Sequence, residues 1–124
     1  MIDHISLQVD DMEAALDWYT AFLRPLGVGA LVDFGDVVGF GPDGGVPSYW
    51  IGKATDPGGR QTHIAFVAES RDVVDAVHRV AVQLGREILH TPRKWPEYHP
   101  GYYAVFVRDP DGNNVEAVCH QRVD

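Results

Sequence analysis

The feature that most constrains the fold is an internal repeat. His4-Ile-Ser-Leu-Gln-Val-Asp10 returns 59 positions later as His63-Ile-Ala-Phe-Val-Ala-Glu69. Leu26-Gly27 returns as Leu84-Gly85, and Gly41-Pro42-Asp43-Gly44 as Asp109-Pro110-Asp111-Gly112. Self-similarity in the same order along both halves means one structural unit used twice. After each histidine-led strand comes a helical pattern. Met12, Ala15, Leu16, Tyr19, Phe22, Leu23 and Leu26 form the first stripe, with Asp10 and Glu13 as a capping box and Gly27 as the stop. Val73, Val77, Val80, Ala81 and Leu84 form the second, between an N-cap at Ser70 and a stop at Gly85. Alternating apolar runs then predict strands over 29–34, 36–41 and 48–53, and again over 86–91, 102–108 and 113–120. The order is strand, helix and three strands, twice. It predicts an α+β chain of two βαβββ modules, module one about 1–54 and module two about 60–121, in a single domain over 1–121. The stretch 55–60 is their junction.

Composition narrows the function classes. With 124 residues, 45% of them hydrophobic, the chain suits one folded domain and not a disordered segment. Eighteen acidic against ten basic residues give a formal charge of −8, which excludes a generally basic nucleic-acid binder. No apolar run approaches the roughly 20 residues of a membrane span, and Met1-Ile2-Asp3-His4 lacks the basic and apolar regions of a signal peptide. The lone cysteine, Cys119, has no internal partner and favours a reducing compartment, so a cytoplasmic location is expected.

Six histidines pose the functional question. Strand parity sorts them. Ile5, Leu7 and Val9 share the helix side of the first strand, leaving His4, Ser6 and Gln8 on the other side. His63 takes the side opposite Ile64 and Phe66, and Glu116 the side opposite Val115, Ala117 and Cys119. A carboxylate in a strand pattern is costly to bury unless something neutralises it. Two imidazoles and a carboxylate suit Fe, Mn, Ni or Zn, with coordination positions left open. His4, His63 and Glu116 are therefore the candidate metal ligands.

The repeat, the opening Ile2-Asp3-His4-Ile-Ser-Leu-Gln-Val, the second His63-Ile-Ala-Phe-Val, and Asp109-Pro110-Asp111-Gly112-Asn-Asn-Val-Glu116 together resemble the vicinal oxygen chelate superfamily. Its members include glyoxalase I, extradiol dioxygenases of the dihydroxybiphenyl dioxygenase type, fosfomycin resistance proteins and bleomycin-binding proteins. The resemblance implies paired modules forming a curved mixed sheet around a cleft. It assigns the first-module ligand to His4 and the second-module ligands to His63 and Glu116. It implies a metal-dependent lyase or dioxygenase-like enzyme acting on a small substrate chelated through vicinal oxygens, or alternatively a metal-free sequestration protein of bleomycin-resistance type. A homodimer is implied, with the site within one chain or shared across two.

Two positions depart from the family pattern. The strand that carries a fourth ligand, a glutamate, in glyoxalase-like members reads Ser48-Tyr49-Trp50-Ile51-Gly52, with Trp50 or Ser48 in its place. Where the extradiol signature has a tyrosine, the chain has Phe106, which cannot donate a hydrogen bond. Among the rest, His99 lies in an aromatic, proline-rich stretch over 92–101 and is the candidate acid–base group. Trp50, Trp95, Tyr98 and Tyr103 are candidate substrate-binding aromatics. His90 and His120 end strands and read as rim groups, and His78 as a solvated helix position.

Overall fold

Both helices start where a side-chain oxygen can take up a free backbone N–H. In the computed structural model, which describes residues 2–55, 58–59 and 61–120, Asp11 precedes α1 (Met12–Leu23) and accepts from the amide of Ala14 at 3.0 Å. The cap is Asp11 and not Asp10, one residue later than the pattern suggests. A 3-10 turn over Arg24–Leu26 continues α1, and Gly27, left-handed at φ 76°, ends it. In the second half Ser70 caps α2 (Arg71–Leu84) by accepting from Val73 at 3.2 Å, and Gly85 closes it with φ 75°. Both stops use glycine because a Cβ is disfavoured in that conformation.

The chain divides into two units, 1–60 and 61–124. Met1, Asp56, Pro57 and Arg60 lie outside the described residues, as does Gln121, where module two was expected to end. The first unit contains β1 (Ile5–Val9), α1, β2 (Val28–Asp33), β3 (Val37–Pro42) and β4 (Tyr49–Lys53). Its sheet runs β1-β4-β3-β2, with β1 parallel to β4 and the other pairs antiparallel. The second contains β5 (His63–Val67), α2, β6 (Ile88–Lys94), β7 (Tyr103–Arg108) and β8 (Asn114–Cys119), ordered β5-β8-β7-β6. β5 is parallel to β8. The expected order of strand, helix and three strands forms twice.

One boundary moves appreciably. β6 runs to Lys94, through Pro92, where the sequence suggests a stop at Thr91. Proline is tolerated because β6 is the edge strand and its pairing with β7 slips between His90 and Arg93.

Each helix covers one face of its own sheet, and the two cores differ in content. Between α1 and its sheet lie Trp18, Tyr19, Phe22, Phe40, Tyr49 and Ile51; the rings of Trp18 and Phe22 stack at 4.7 Å, and those of Tyr19 and Tyr49 lie tilted at 5.2 Å. Beneath α2 the buried residues are small: Val74, Val77, Ala81, Val105, Val107, Val115, Ala117 and Cys119. Val74, absent from the stripe read off the sequence, is fully buried, whereas Val73 is only partly so. Among the described residues no helix is long and apolar enough to cross a membrane.

Candidate functional site

The turn before β8 fixes where that strand begins. Asp109 is 2% exposed, and its carboxylate accepts from the amides of Asp111 (3.0 Å) and Asn113 (2.8 Å) and from the Asn113 side chain (3.0 Å). Asn113 in turn accepts from the amide of Thr62 at 2.8 Å, tying the start of β5 to the start of β8. Gly112, at φ 84°, makes the reversal possible. The Asp-Pro-Asp-Gly element is thus a device for aligning β5 and β8.

From that alignment the open face of the second sheet follows. His63 stands opposite Asn114, Ala65 opposite Glu116, and Phe106 opposite Glu116 on the other side. Glu116 is 1% exposed yet fully engaged. Its Oε1 lies 3.0 Å from Nε2 of His63, and its Oε2 accepts the phenol hydroxyl of Tyr102. These contacts meet the cost of burying the carboxylate. Nδ1 of His63 lies 3.0 Å from the carbonyl of Asn114, to which it donates. That leaves Nε2 with its lone pair toward the carboxylate, and two lone pairs at this distance require a cation between them, either a proton or a metal ion.

Around the pair is a cavity of about 400 Å³ lined by His63, Tyr98, Tyr102, Phe106 and Glu116. The His63 ring lies nearly parallel to Phe106 at 6.0 Å. Behind it Trp95, Ala104, Phe106 and Val118 form a small apolar cluster with Leu89 and Tyr102. Burial and the carboxylate beside it push the Tyr102 phenol well above the usual tyrosine range, so it remains a donor.

The other sequence candidates fall in different places. Tyr103 is turned away from this face. Its hydroxyl donates to Asp75 of α2 at 2.7 Å, and Arg71 lies over its ring at 5.4 Å. Burial, then the bond to Asp75, push its phenol up to about 12. The parity it shares with Val105 and Val107 is the helix-side parity, so the tyrosine on the open face is Tyr102, which the sequence reading did not select. The signal was present: position 106, where the family signature points a phenol at the site, has the parity of 102.

Trp95 is 6% exposed and held by packing. Its Nε1 donates to the Ala104 carbonyl at 3.3 Å, Tyr98 stacks on it at 5.7 Å, and the Arg93 guanidinium lies 3.4 Å from its ring centre. Tyr98 itself is 59% exposed at the cavity. His99 has both ring nitrogens engaged, Nδ1 with the Pro100 carbonyl at 2.8 Å and Nε2 with Nδ1 of His120 at 2.9 Å. His90 packs edge-on against Trp95 and Phe106.

Two candidates belong to the first unit. His4 precedes β1, is largely exposed, and has Nδ1 2.6 Å from Asp3. Trp50 stands opposite Ser6 and Gly39 in the register that places Glu116 opposite Ala65 and Phe106. Trp50, and not Ser48, therefore takes the place of a carboxylate in the first module. A cavity of about 540 Å³ on this unit is lined by polar groups including Ser6, Gln8, Asp36 and Lys53.

The donor set of the second unit suits a divalent ion. Nε2 of His63 and Oε1 of Glu116, 3.0 Å apart, are an imidazole nitrogen and a carboxylate oxygen, the donor types that such ions accept. Among the described residues no three His, Cys, Asp or Glu side chains converge closely enough to hold one.

Comparison with known proteins agrees with the fold. The model of the Glyoxalase/Bleomycin resistance protein/Dioxygenase superfamily matches residues 1–117. The uncharacterised protein YqjT of Bacillus subtilis (strain 168) is 30% identical, over 94% of this chain and 96% of its own. A glyoxalase/bleomycin resistance protein from Albidiferax ferrireducens T118 superposes with a TM-score of 0.77 at 22% identity, covering 96% of this chain and 98% of that one. A lactoylglutathione lyase from Agrobacterium tumefaciens gives 0.69 at 26% identity, covering 96% and 92%. With the βαβββ module formed twice and the family model matched over nearly its whole length, the chain belongs to the vicinal oxygen chelate superfamily of glyoxalases, bleomycin resistance proteins and dioxygenases.

Proposed function

We propose that this chain is a metal-dependent enzyme of glyoxalase or extradiol-dioxygenase type, acting on a small substrate with neighbouring oxygens. The observation that carries the reading is the pair of His63 Nε2 and Glu116 Oε1, 3.0 Å apart beside a cavity of about 400 Å³. The pair would hold an Fe, Mn, Ni or Zn ion, and the family pattern assigns the third ligand to His4. A divalent ion bound there supplies Lewis-acid polarisation of the substrate's oxygens. The chain's own residues do the remaining work. The Asn114 carbonyl fixes the His63 tautomer, and Tyr98, Tyr102 and Phe106 present an apolar wall to the substrate. His99 is the proposed acid–base group and exchanges its proton through His120. With Nδ1–H of His99 on the Pro100 carbonyl, its Nε2 accepts from His120, and Nε2 of His120 is the open end of the pair. A cytoplasmic homodimer is part of the proposal.

A second reading, a metal-free binding protein, is favoured by Trp50 in the position of a fourth ligand and by the aromatic cavity wall. In that case a proton on the His63–Glu116 pair takes the cation's place. Elemental analysis of protein purified without a chelating tag separates the two. The expected result is about one metal per chain, lost in His63→Ala and Glu116→Ala and strongly reduced in His4→Ala. A preparation that takes up none of the four metals overturns the enzyme reading, and retention in His4→Ala removes that residue from the ligand set.

A further inference from the structure

The phenol of Tyr102 lies on the proposed ligand Glu116, reaching it from a position four residues before the one where the family signature has a tyrosine. Its ring is hemmed in by three edge-on neighbours: Tyr98 at 5.0 Å and 61°, His99 at 5.3 Å and 75°, and His120 at 5.2 Å and 87°. Those neighbours are themselves fixed. His99 is tied to Pro100 and His120, and the backbone of Tyr102 is bonded to His99 (3.2 Å) and Trp95 (2.8 Å). A tyrosine held in this way delivers its hydroxyl to one point, and that point is Oε2 of Glu116. The other oxygen, Oε1, is the one beside Nε2 of His63.

We propose that Tyr102 is a positioning residue: its hydroxyl occupies Oε2 of Glu116, so that the carboxylate offers the single oxygen Oε1, oriented beside His63, to a divalent cation. The proposal rests on the metal reading above and adds the denticity of the carboxylate and the origin of its orientation. A carboxylate with one oxygen engaged by a phenol binds a metal through the other. Without the phenol, the buried Oε2 loses its partner and is free to rotate toward the ion. The histidines at 99 and 120 and the exposed Tyr98 acquire a common task here, which is to keep the Tyr102 ring from swinging away.

The test is calorimetric titration of metal-free protein with Mn²⁺, paired with the visible absorption of the Co²⁺-loaded protein, which reports coordination number without any turnover. The variants are Tyr102→Phe, which removes only the hydroxyl, and Tyr103→Phe, which removes the adjacent hydroxyl that is directed at Asp75 of α2 and not at Glu116. Tyr102→Phe should weaken Mn²⁺ binding roughly ten- to a hundredfold and change the Co²⁺ spectrum toward higher coordination. Tyr103→Phe should leave both as in the parent protein. Unchanged affinity and spectrum in Tyr102→Phe overturn the positioning role while leaving the metal reading intact. A parent protein that binds neither ion overturns both. Should Tyr102→Phe not fold, proton NMR of the parent chain decides: a slowly exchanging hydroxyl proton, with a nuclear Overhauser contact to the Tyr102 ring, is expected, and its absence overturns the proposal.

Discussion

Gly39 and Trp50 show how a single exchange of size differentiates two copies of one module. In the second unit the corresponding pair is Phe106 and Glu116. There the large residue is on β7 and the carboxylate is on β8. In the first unit the large residue has moved to β4, and its ring covers the α-carbon of Gly39. A Cβ at position 39 would lie 2.7–2.9 Å from three atoms of the indole, closer than carbon atoms pack, and a ring is too stiff to yield locally. Gly39→Ala should therefore lower stability by about 1–3 kcal/mol, read as the urea midpoint. Adding Trp50→Ala should recover part of that loss, because the two changes share one contact. If the losses simply add, the indole is not what excludes the methyl group. At this scale the sequence was legible wherever parity alone decides. Parity separated His63 and Glu116 from the helix side. For β7, however, it was not anchored to a side, and so Tyr103 was selected where Tyr102 belongs. The cross-strand partner anchors it: the pairing of Phe106 with Glu116 puts position 106, and with it 102, on the open face of β7.

Among the elements, helix ends and turns were the most legible, because they depend on local chemistry. Ser70, Gly27 and Gly85 act as expected, and the Asp10 cap slid by one residue to Asp11 because either aspartate can supply the oxygen. β6 was the least legible. Its extension past Pro92 depends on its being an edge strand, which is a property of the sheet and not of the segment. The Asp109 turn joins both kinds of information. Its Pro-Asp-Gly pattern reads as a reversal, but its three accepted hydrogen bonds and the link from Asn113 to Thr62 show that it also sets the β5–β8 register. Asp109→Ala removes all three acceptor contacts from a buried site and should cost about 3 kcal/mol. Asp109→Asn retains the oxygen that serves the two amides and should cost about 1 kcal/mol. Chemical denaturation orders the two variants, and equal costs would mean that the bond to the Asn113 side chain, and not the pair of amide bonds, anchors the turn.

For the whole chain, the repeat made the order of elements readable while concealing the division of labour between its halves. Hydrophobic spacing is indifferent to whether a core is built from rings, as beneath α1, or from valines and alanines, as beneath α2. That difference bears on how stability responds to pH. Where the second core leaves room at the edge of α2, Tyr103 lies with its hydroxyl on Asp75, and its phenol is pushed up from 10.0 to about 12. A phenol that holds its proton more tightly in the folded chain than in the unfolded one contributes fully below the unfolded value. That contribution is lost as pH rises through the window between the two. The parent protein should thus hold its urea midpoint up to about pH 10 and lose stability from there toward pH 12. Tyr102, whose phenol is also raised, acts in the same direction. In Tyr103→Phe the unfolded chain has no such phenol to ionise, so the decline between pH 10 and pH 12 should be shallower. At pH 8 the variant should be less stable by about 1 kcal/mol for the missing bond to Asp75. The two midpoint curves should therefore converge as the solution becomes alkaline, and curves that stay parallel would show that the Asp75 contact does not hold the proton on Tyr103.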